Sequence, residues 1–253
     1  MGESSAIEWT EATWNPWHGC TRISPGCAHC YMYRDKKRYG QNPLVVTRSK
    51  TMFDAPLKWK QPRLIFTCSW SDFFIEQADT WRAKAWKIIS STPHHTYQIL
   101  TKRPERIAAH LAPTWPLPNV WLGVSVENPR FYGRISTLNQ IDATVRFVSL
   151  EPMLAPMEAL PLKGLSWVIV GGESGPRCRP MKEEWARSVR DQCHAAEVPF
   201  FFKQWGGERK DLNGRILDGR LWNEMPTSLQ RATVLQTGTV AAFRSPRLAS
   251  LST

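Results

Sequence analysis

Six short runs of apolar and β-branched residues constrain this chain more than any other feature. They are RLIFTCSW (63–70), TYQILT (96–101), VWLGVSV (120–126), VRFVSL (145–150), LSWVIV (165–170) and VPFFFK (198–203). Each is nearly continuous rather than alternating, the pattern of strands buried on both faces. Helical patterns stand between them. DTWRAKAWKII places Trp81, Ala85, Ile88 and Ile89 on one face, with Asp79 or Thr80 able to cap it. RPERIAAHL opens with Pro104, suited to a first helical turn. PRFYGRISTL aligns Phe131, Ile135 and Leu138; EEWARSVRDQCHAA aligns Trp185, Val189 and Cys193, which makes Cys193 a core thiol. Strand–helix alternation predicts one α/β domain over residues 1–225, with a parallel sheet that is open or closed as a full or partial (β/α) barrel. From residue 226 the pattern fades into a Ser/Thr-rich stretch, 226–253, expected to be a mobile tail.

No apolar run approaches the roughly 20 residues of a membrane span. The start, MGESSAIEWTE, lacks the layout of a signal peptide. The expectation is a cytoplasmic protein without membrane contact. In that setting six cysteines point to metal binding or catalysis rather than to disulfides. Net charge is +11, from 33 Lys and Arg against 22 Asp and Glu, which favours an anionic partner such as nucleic acid. No single basic block stands out. Among thirteen tryptophans, Trp14, Trp17, Trp70 and Trp205 fall near the expected mouth of the barrel, where rings among cations suit base stacking.

In parallel α/β proteins the chemistry collects at the carboxyl ends of strands. Those ends read Cys68-Ser69-Trp70-Ser71-Asp72, Thr101-Lys102-Arg103, Ser125-Val126-Glu127-Asn128, Ser149-Leu150-Glu151-Pro152, Gly171-Gly172-Glu173-Ser174-Gly175-Pro176 and Lys203-Gln204-Trp205-Gly206. Every one is polar. GGESG resembles a backbone nest for an anionic or carboxylate group, and it also fits a tight strand-to-helix turn.

The first unit ends in TWNPWHGCTRISPGCAHCYMYR, with Cys20, Cys27 and Cys30 spaced C-x6-C-x2-C inside a loop over 18–31. Zinc is one occupant, with His18 or His29 as fourth ligand. A [4Fe–4S] cluster with one iron left open is another. A loop without metal is the third. The position after the first strand, the following helix YMYRDKKRYG and the aromatic His29 just before the last cysteine resemble the cluster loop of radical S-adenosylmethionine enzymes, and that resemblance favours iron–sulfur.

The motifs also carry a resemblance. TWNPWHGC…GCAHCY, SWSDFF (69–74), LTKRPER (100–106), LGVSVEN (122–128), SLEPML (149–154), VGGESGP (170–176) and FFKQWGG (201–207) resemble the phage Gp37/Gp68-type family, also called three-Cys-motif or DUF5131 proteins. The resemblance covers about residues 7–226. The cysteine loop is similar to that of radical S-adenosylmethionine (SAM) enzymes, and implies a radical-SAM-like barrel. It implies a [4Fe–4S] cluster on Cys20, Cys27 and Cys30, with the open iron binding SAM. It further implies an external electron donor and a 5′-deoxyadenosyl radical acting on substrate, with nucleic acid as the candidate. Ser125, Glu127, Ser149, Glu151, Gly171, Gly172 and Glu173 become candidates for the SAM cradle. Lys102, Arg103, Lys203 and Gln204 become candidates for an anionic substrate, and Cys178 for a hydrogen donor. Two features depart from the radical SAM pattern: its first cysteine gap is usually x3, and its GGE segment follows an early strand rather than a late one. The competing classes are a zinc-stabilised nucleic-acid-binding protein and a phage or defence accessory protein that has kept the barrel and lost the reaction.

Overall fold

Each of the six apolar runs contains a strand, and a further strand precedes the cysteine loop. In the computed structural model, which describes residues 2–226, these are β1 (Ala12–Trp14), β4 (Leu64–Thr67), β5 (Thr96–Thr101), β6 (Val120–Ser125), β7 (Val145–Leu150), β8 (Trp167–Gly171) and β9 (Phe200–Gln204). They form a seven-stranded sheet in the order β1-β4-β5-β6-β7-β8-β9, with every neighbouring pair parallel. Two short strands, β2 (Trp17–His18) and β3 (Thr47–Arg48), pair antiparallel beside it. The expected tail lies outside the described residues, apart from Pro226.

Sequential strand order with right-handed crossovers sets the helices on one face, so the other face must close on itself. It does. Trp9 precedes β1, yet its ring lies 6.3 Å from Phe147 on β7 and 6.1 Å from Trp167 on β8. The sheet therefore curls until the approach to its first strand meets its far side. β1 and β9 do not pair, so the barrel is partial. Its inner face changes along the strands. Near their starts it is aromatic, with Phe66, Trp121, Phe147, Trp167 and Phe201 packed around Trp9. Near their ends the inward positions are Ser125, Ser149, Gly171 and Lys203, by alternation from Trp121, Phe147, Trp167 and Phe201.

The outer face is covered by α2 (Asp79–Ser91), α3 (Gly133–Asn139) and α4 (Glu183–Ala195), which bury Ile88 and Ile89, Ile135 and Leu138, and Val189 and Cys193. α1 (Tyr31–Arg38) follows the cysteine loop, and the chain leaves it through Gly40 at φ +66°, a left-handed position that suits glycine. Three helical expectations need correction. On α2, Trp86 is buried and Trp81 only partly so. Asp79 is the first helical residue rather than a cap, because its carboxylate is taken by Arg82 and Arg106. RPERIAAHL forms two 3-10 turns, Pro104–Arg106 and Ala108–His110, because Pro113 follows too soon for an α-helix to propagate. Among the described residues no helix is long and apolar enough to cross a membrane.

Gly123 on β6 stands in register with Phe147, and a Cβ there would overlap the phenyl ring. That ring is held among Trp9 and Trp167 and cannot swing away. Gly123→Ala is therefore expected to destabilise the fold by about 1–3 kcal/mol through overpacking. Urea unfolding would show a lower midpoint at unchanged slope, partly restored by adding Phe147→Leu. An unchanged midpoint would mean that the ring has room to move.

Candidate metal centre

The loop after β1 crosses the carboxyl edge of the sheet. Cys20, Cys27 and Cys30 are free and half-buried in it. Pro25–Cys27 makes a 3-10 turn, and Cys30 directly precedes α1. Cys27 is near enough to act on both other thiols, and all three act on the Tyr33 phenol. Burial, then the carboxylate of Asp72, push the Cys20 thiol up to about 12 against the pull of Arg103. Burial also raises Cys30, opposed by the backbone N–H groups of Met32 and Tyr33 at the start of α1.

Three arginine–carboxylate pairs hold this loop, each rooted at a different part of the sheet edge. The first is Asp72 with Arg103, after β4 and β5. Asp72 accepts from the Thr101 hydroxyl at 2.6 Å, the Lys102 N–H at 3.0 Å and Arg103 Nη1 at 3.0 Å. Arg103 Nη2 then donates to Thr21 O at 3.0 Å and Thr21 Oγ1 at 2.8 Å, while Nη1 lies 3.8 Å from Cys20 Sγ. The second is Glu127 after β6 with Arg134 on α3. Glu127 is fully buried and accepts from Arg134 Nη1 at 3.0 Å and the Ser24 hydroxyl at 2.5 Å, with Lys102 Nζ at 3.4 Å. Gly26 lies so close to it that a Cβ would overlap the carboxylate. The third is Glu173 after β8 with Arg179. Glu173 accepts from the Arg179 backbone N–H and Nε, each at 2.9 Å, and pairs with His29 Nδ1 at 3.0 Å. Arg179 Nη2 continues to Pro25 O at 3.0 Å.

The other residues expected at the site fall into two groups. Ser125, Ser149, Glu151, Gly171 and Lys203 share the inner wall. Ser149 Oγ is buried there without a partner among the described residues. Lys203 Nζ donates to Glu151 Oε1 at 2.5 Å, and Gly171 leaves room for that carboxylate. The rest are engaged within the protein. Gly172 and Gly206 (φ +80°) let the turns after β8 and β9 touch, since a Cβ on Gly172 would strike the Trp205 carbonyl. Gln204 donates to Gly172 O and Ser174 Oγ. Lys102, Arg103 and Lys203 each face a carboxylate. Cys178 is half-buried in the turn beside Arg179. Trp14 and Trp17 do not reach the mouth as expected. Both are fully buried, with their indole N–H groups on Met52 O and Asp72 O. Trp70 and Trp205 are partly exposed. Sequence reasoning missed Arg134 and Arg179. The signals were a charge beside Ile135 on an apolar helix face, and a cation six residues after Glu173.

A cavity of about 470 Å³ opens beside the loop between Thr21, Ile75, Phe131 and Arg134. Its cations Lys102, Arg103, Arg106 and Arg134 are each neutralised by Glu127, Asp72 or Asp79.

Among the described residues no three His, Cys, Asp or Glu side chains converge on one metal ion. The Cys3His zinc arrangement is not formed, because His18 faces Thr47 Oγ1 at 3.1 Å and His29 faces Glu173. A cluster asks for less convergence, since each thiolate takes a different iron. Three free thiols in one loop, without an available fourth ligand, fit that group in the chemistry of the donor set.

The family model described as "Protein of unknown function (DUF5131)" matches residues 4–226. The chain belongs to this family. No curated protein matches it. Solved structures similar to it include a spore photoproduct lyase variant, at 14% identity and TM-score 0.49 over 68% of this chain and 58% of that one. Spore photoproduct lyase complexed with dinucleoside spore photoproduct is similar at 13% identity and TM-score 0.48, over 76% of this chain and 63% of that one. This DUF5131 chain thus spans about three-fifths of their length, and no residue role passes across at that similarity.

Glu173 gives the site a pH signature. Burial alone would raise its carboxyl, but the hydrogen bonds of Arg179, then of His29, hold it at about 2, below its ordinary 4.5. A depressed carboxylate contributes stability that is complete above its unfolded pKa and lost as pH falls towards the folded one. Stability is expected to drop between about pH 5 and pH 2. Arg179→Ala should make that part of the profile shallower while lowering stability at neutral pH. Parallel profiles for the two proteins would contradict the assignment.

Proposed function

We propose that this DUF5131 chain is a radical SAM-like iron–sulfur enzyme, with Cys20, Cys27 and Cys30 as ligands of a [4Fe–4S] cluster. The observation that carries the reading is the loop itself: three free thiols held on the carboxyl edge of a partial parallel barrel, with both nearby histidines committed elsewhere. When bound, the cluster and SAM supply one-electron cleavage of a sulfonium and a 5′-deoxyadenosyl radical, with the electron drawn from an external donor. The chain's own residues supply the setting. Cys20 and Cys30 are protonated before loading, so loading releases protons and is favoured at higher pH. Ser125, Ser149, Glu151 and Gly171 form the polar inner wall suited to the amino-acid end of SAM, and among the described residues the buried Ser149 Oγ has no partner of its own. Glu127, Gly172 and Glu173 serve that wall indirectly by holding the loops around it.

Anaerobic reconstitution with iron and sulfide should give a brown protein with about four irons per chain. Cys20→Ala, Cys27→Ala and Cys30→Ala should each lose the colour. The reduced protein should convert SAM to methionine and 5′-deoxyadenosine. Stoichiometric zinc in a colourless protein that takes up no iron would instead support the zinc-stabilised class. Cluster without SAM cleavage would support the accessory class.

A further inference from the structure

The surplus positive charge of the chain is concentrated in one place. Residues 20–50 hold seven Lys and Arg against a single acid, Asp35, and so carry six of the eleven surplus charges. Its one run of consecutive cations, Lys36-Lys37-Arg38, is short, and the other four are scattered along the stretch.

α1 displays the arrangement. It buries Met32, Tyr33 and Lys36 and exposes Arg34, Lys37 and Arg38, spaced i, i+3, i+4 on one face. Like charges at that spacing weaken a helix. The helix dipole favours cations in the last turn, which accounts for Lys37 and Arg38, while Arg34 in the first half pairs with Asp35 through Nε at 3.2 Å and keeps its guanidinium exposed. After α1 the chain returns along the cysteine loop. The Cys20 N–H donates to Pro43 O at 3.0 Å, and Thr47–Arg48 pairs with Trp17–His18. Exposed Arg48 and Lys50 thereby join the same margin, from which Arg22 also projects.

These cations differ from those at the sheet edge. Lys102, Arg103, Arg134 and Lys203 all face carboxylates. Among the described residues Lys37, Arg38, Arg48 and Lys50 form no ion pair, and Tyr39 beside them is 68% exposed. An unpaired positive field therefore lies along the outer margin of the cysteine loop.

We propose that this margin, α1 with the segment 39–50, is a nucleic-acid-binding surface. Arg34 to Arg38 spans about 6 Å along the helix, close to two phosphate steps of one strand at about 3.4 Å each. Lys and Arg neutralise the backbone, and the exposed Tyr39 ring offers a stacking face. An acidic protein would match the charge without using that ring. The proposal names a partner for the DUF5131 site but needs no cluster. Binding is read on full-length protein before iron is added, so its failure and the failure of the enzymatic reading are distinguishable.

The experiment is fluorescence anisotropy with labelled single-stranded and duplex DNA, from about 50 to about 200 mM salt. The wild-type protein should bind, with affinity falling steeply as salt rises. Lys37→Glu/Arg38→Glu/Lys50→Glu should flatten the log–log salt slope by about 2 on single-stranded DNA, near 0.7 per lost phosphate contact. Lys37→Gln/Arg38→Gln/Lys50→Gln should do so with less disturbance of the fold, as checked by circular dichroism. Lys87→Glu on the exposed side of α2 should leave the slope unchanged. No binding at the lowest salt, or equal loss with Lys87→Glu, would overturn the proposal. So would polyglutamate that displaces the DNA and binds with the same sensitivity to the triple variants, which would assign the surface to an acidic polypeptide.

Discussion

The arginine–carboxylate pair that anchors a loop is the interaction on which this site depends. Asp72–Arg103, Glu127–Arg134 and Glu173–Arg179 each join the carboxyl edge of the sheet to a different part of the cysteine loop. The first two pairs are buried, while Arg179 is half-exposed; removing one partner of a buried pair strands the other charge and costs about 3–5 kcal/mol, although the intact pair adds little net stability. Such pairs fix geometry more than they stabilise. Here the geometry is that of Cys20, Ser24 to Gly26, and His29, so the thiols are placed by side chains from the segments after β4, β5, β6 and β8 and from α3.

The fold makes this possible. Sequential strand order brings all the strand ends to one rim, and the curl of the sheet lets residues after β8 reach a loop after β1. The aromatic filling around Trp9 closes the opposite end and keeps the inward positions near the rim for small or polar groups. Gly26 and Gly172 serve the same end, because a side chain at either would push the loop from Glu127 or separate the turns after β8 and β9.

The strands of this DUF5131 chain were legible because continuous apolar runs leave few alternatives. The cysteines were legible because thiols in a tight loop are uncommon. The clamps were not, because their members lie far apart in the chain: Ser24 and Glu127 are separated by 103 residues, and His29 and Glu173 by 144. A sequence shows that Glu127 and Glu173 are polar strand ends; only the fold shows them turned towards the loop. Trp14 and Trp17 carried the opposite error, since their place beside the cysteines suggested exposure while packing against Tyr97 and Phe73 buries them. The net charge was visible as a sum, and its concentration along α1 became meaningful once the helix separated buried Lys36 from exposed Lys37 and Arg38.

The central claim is that the cysteine loop is held in place by these pairs before any cluster binds. Hydrogen–deuterium exchange on metal-free protein tests it directly. The amides of Cys20, Cys27 and Ala28, which donate to Pro43, Ser24 and Pro25, should be protected in the wild type. In Arg179→Ala, which removes the contact to Pro25, Cys27 and Ala28 should lose protection while the amides of β5 and β6 keep theirs. Exchange of all three loop amides at the rate of an unfolded chain in the wild type would contradict the account.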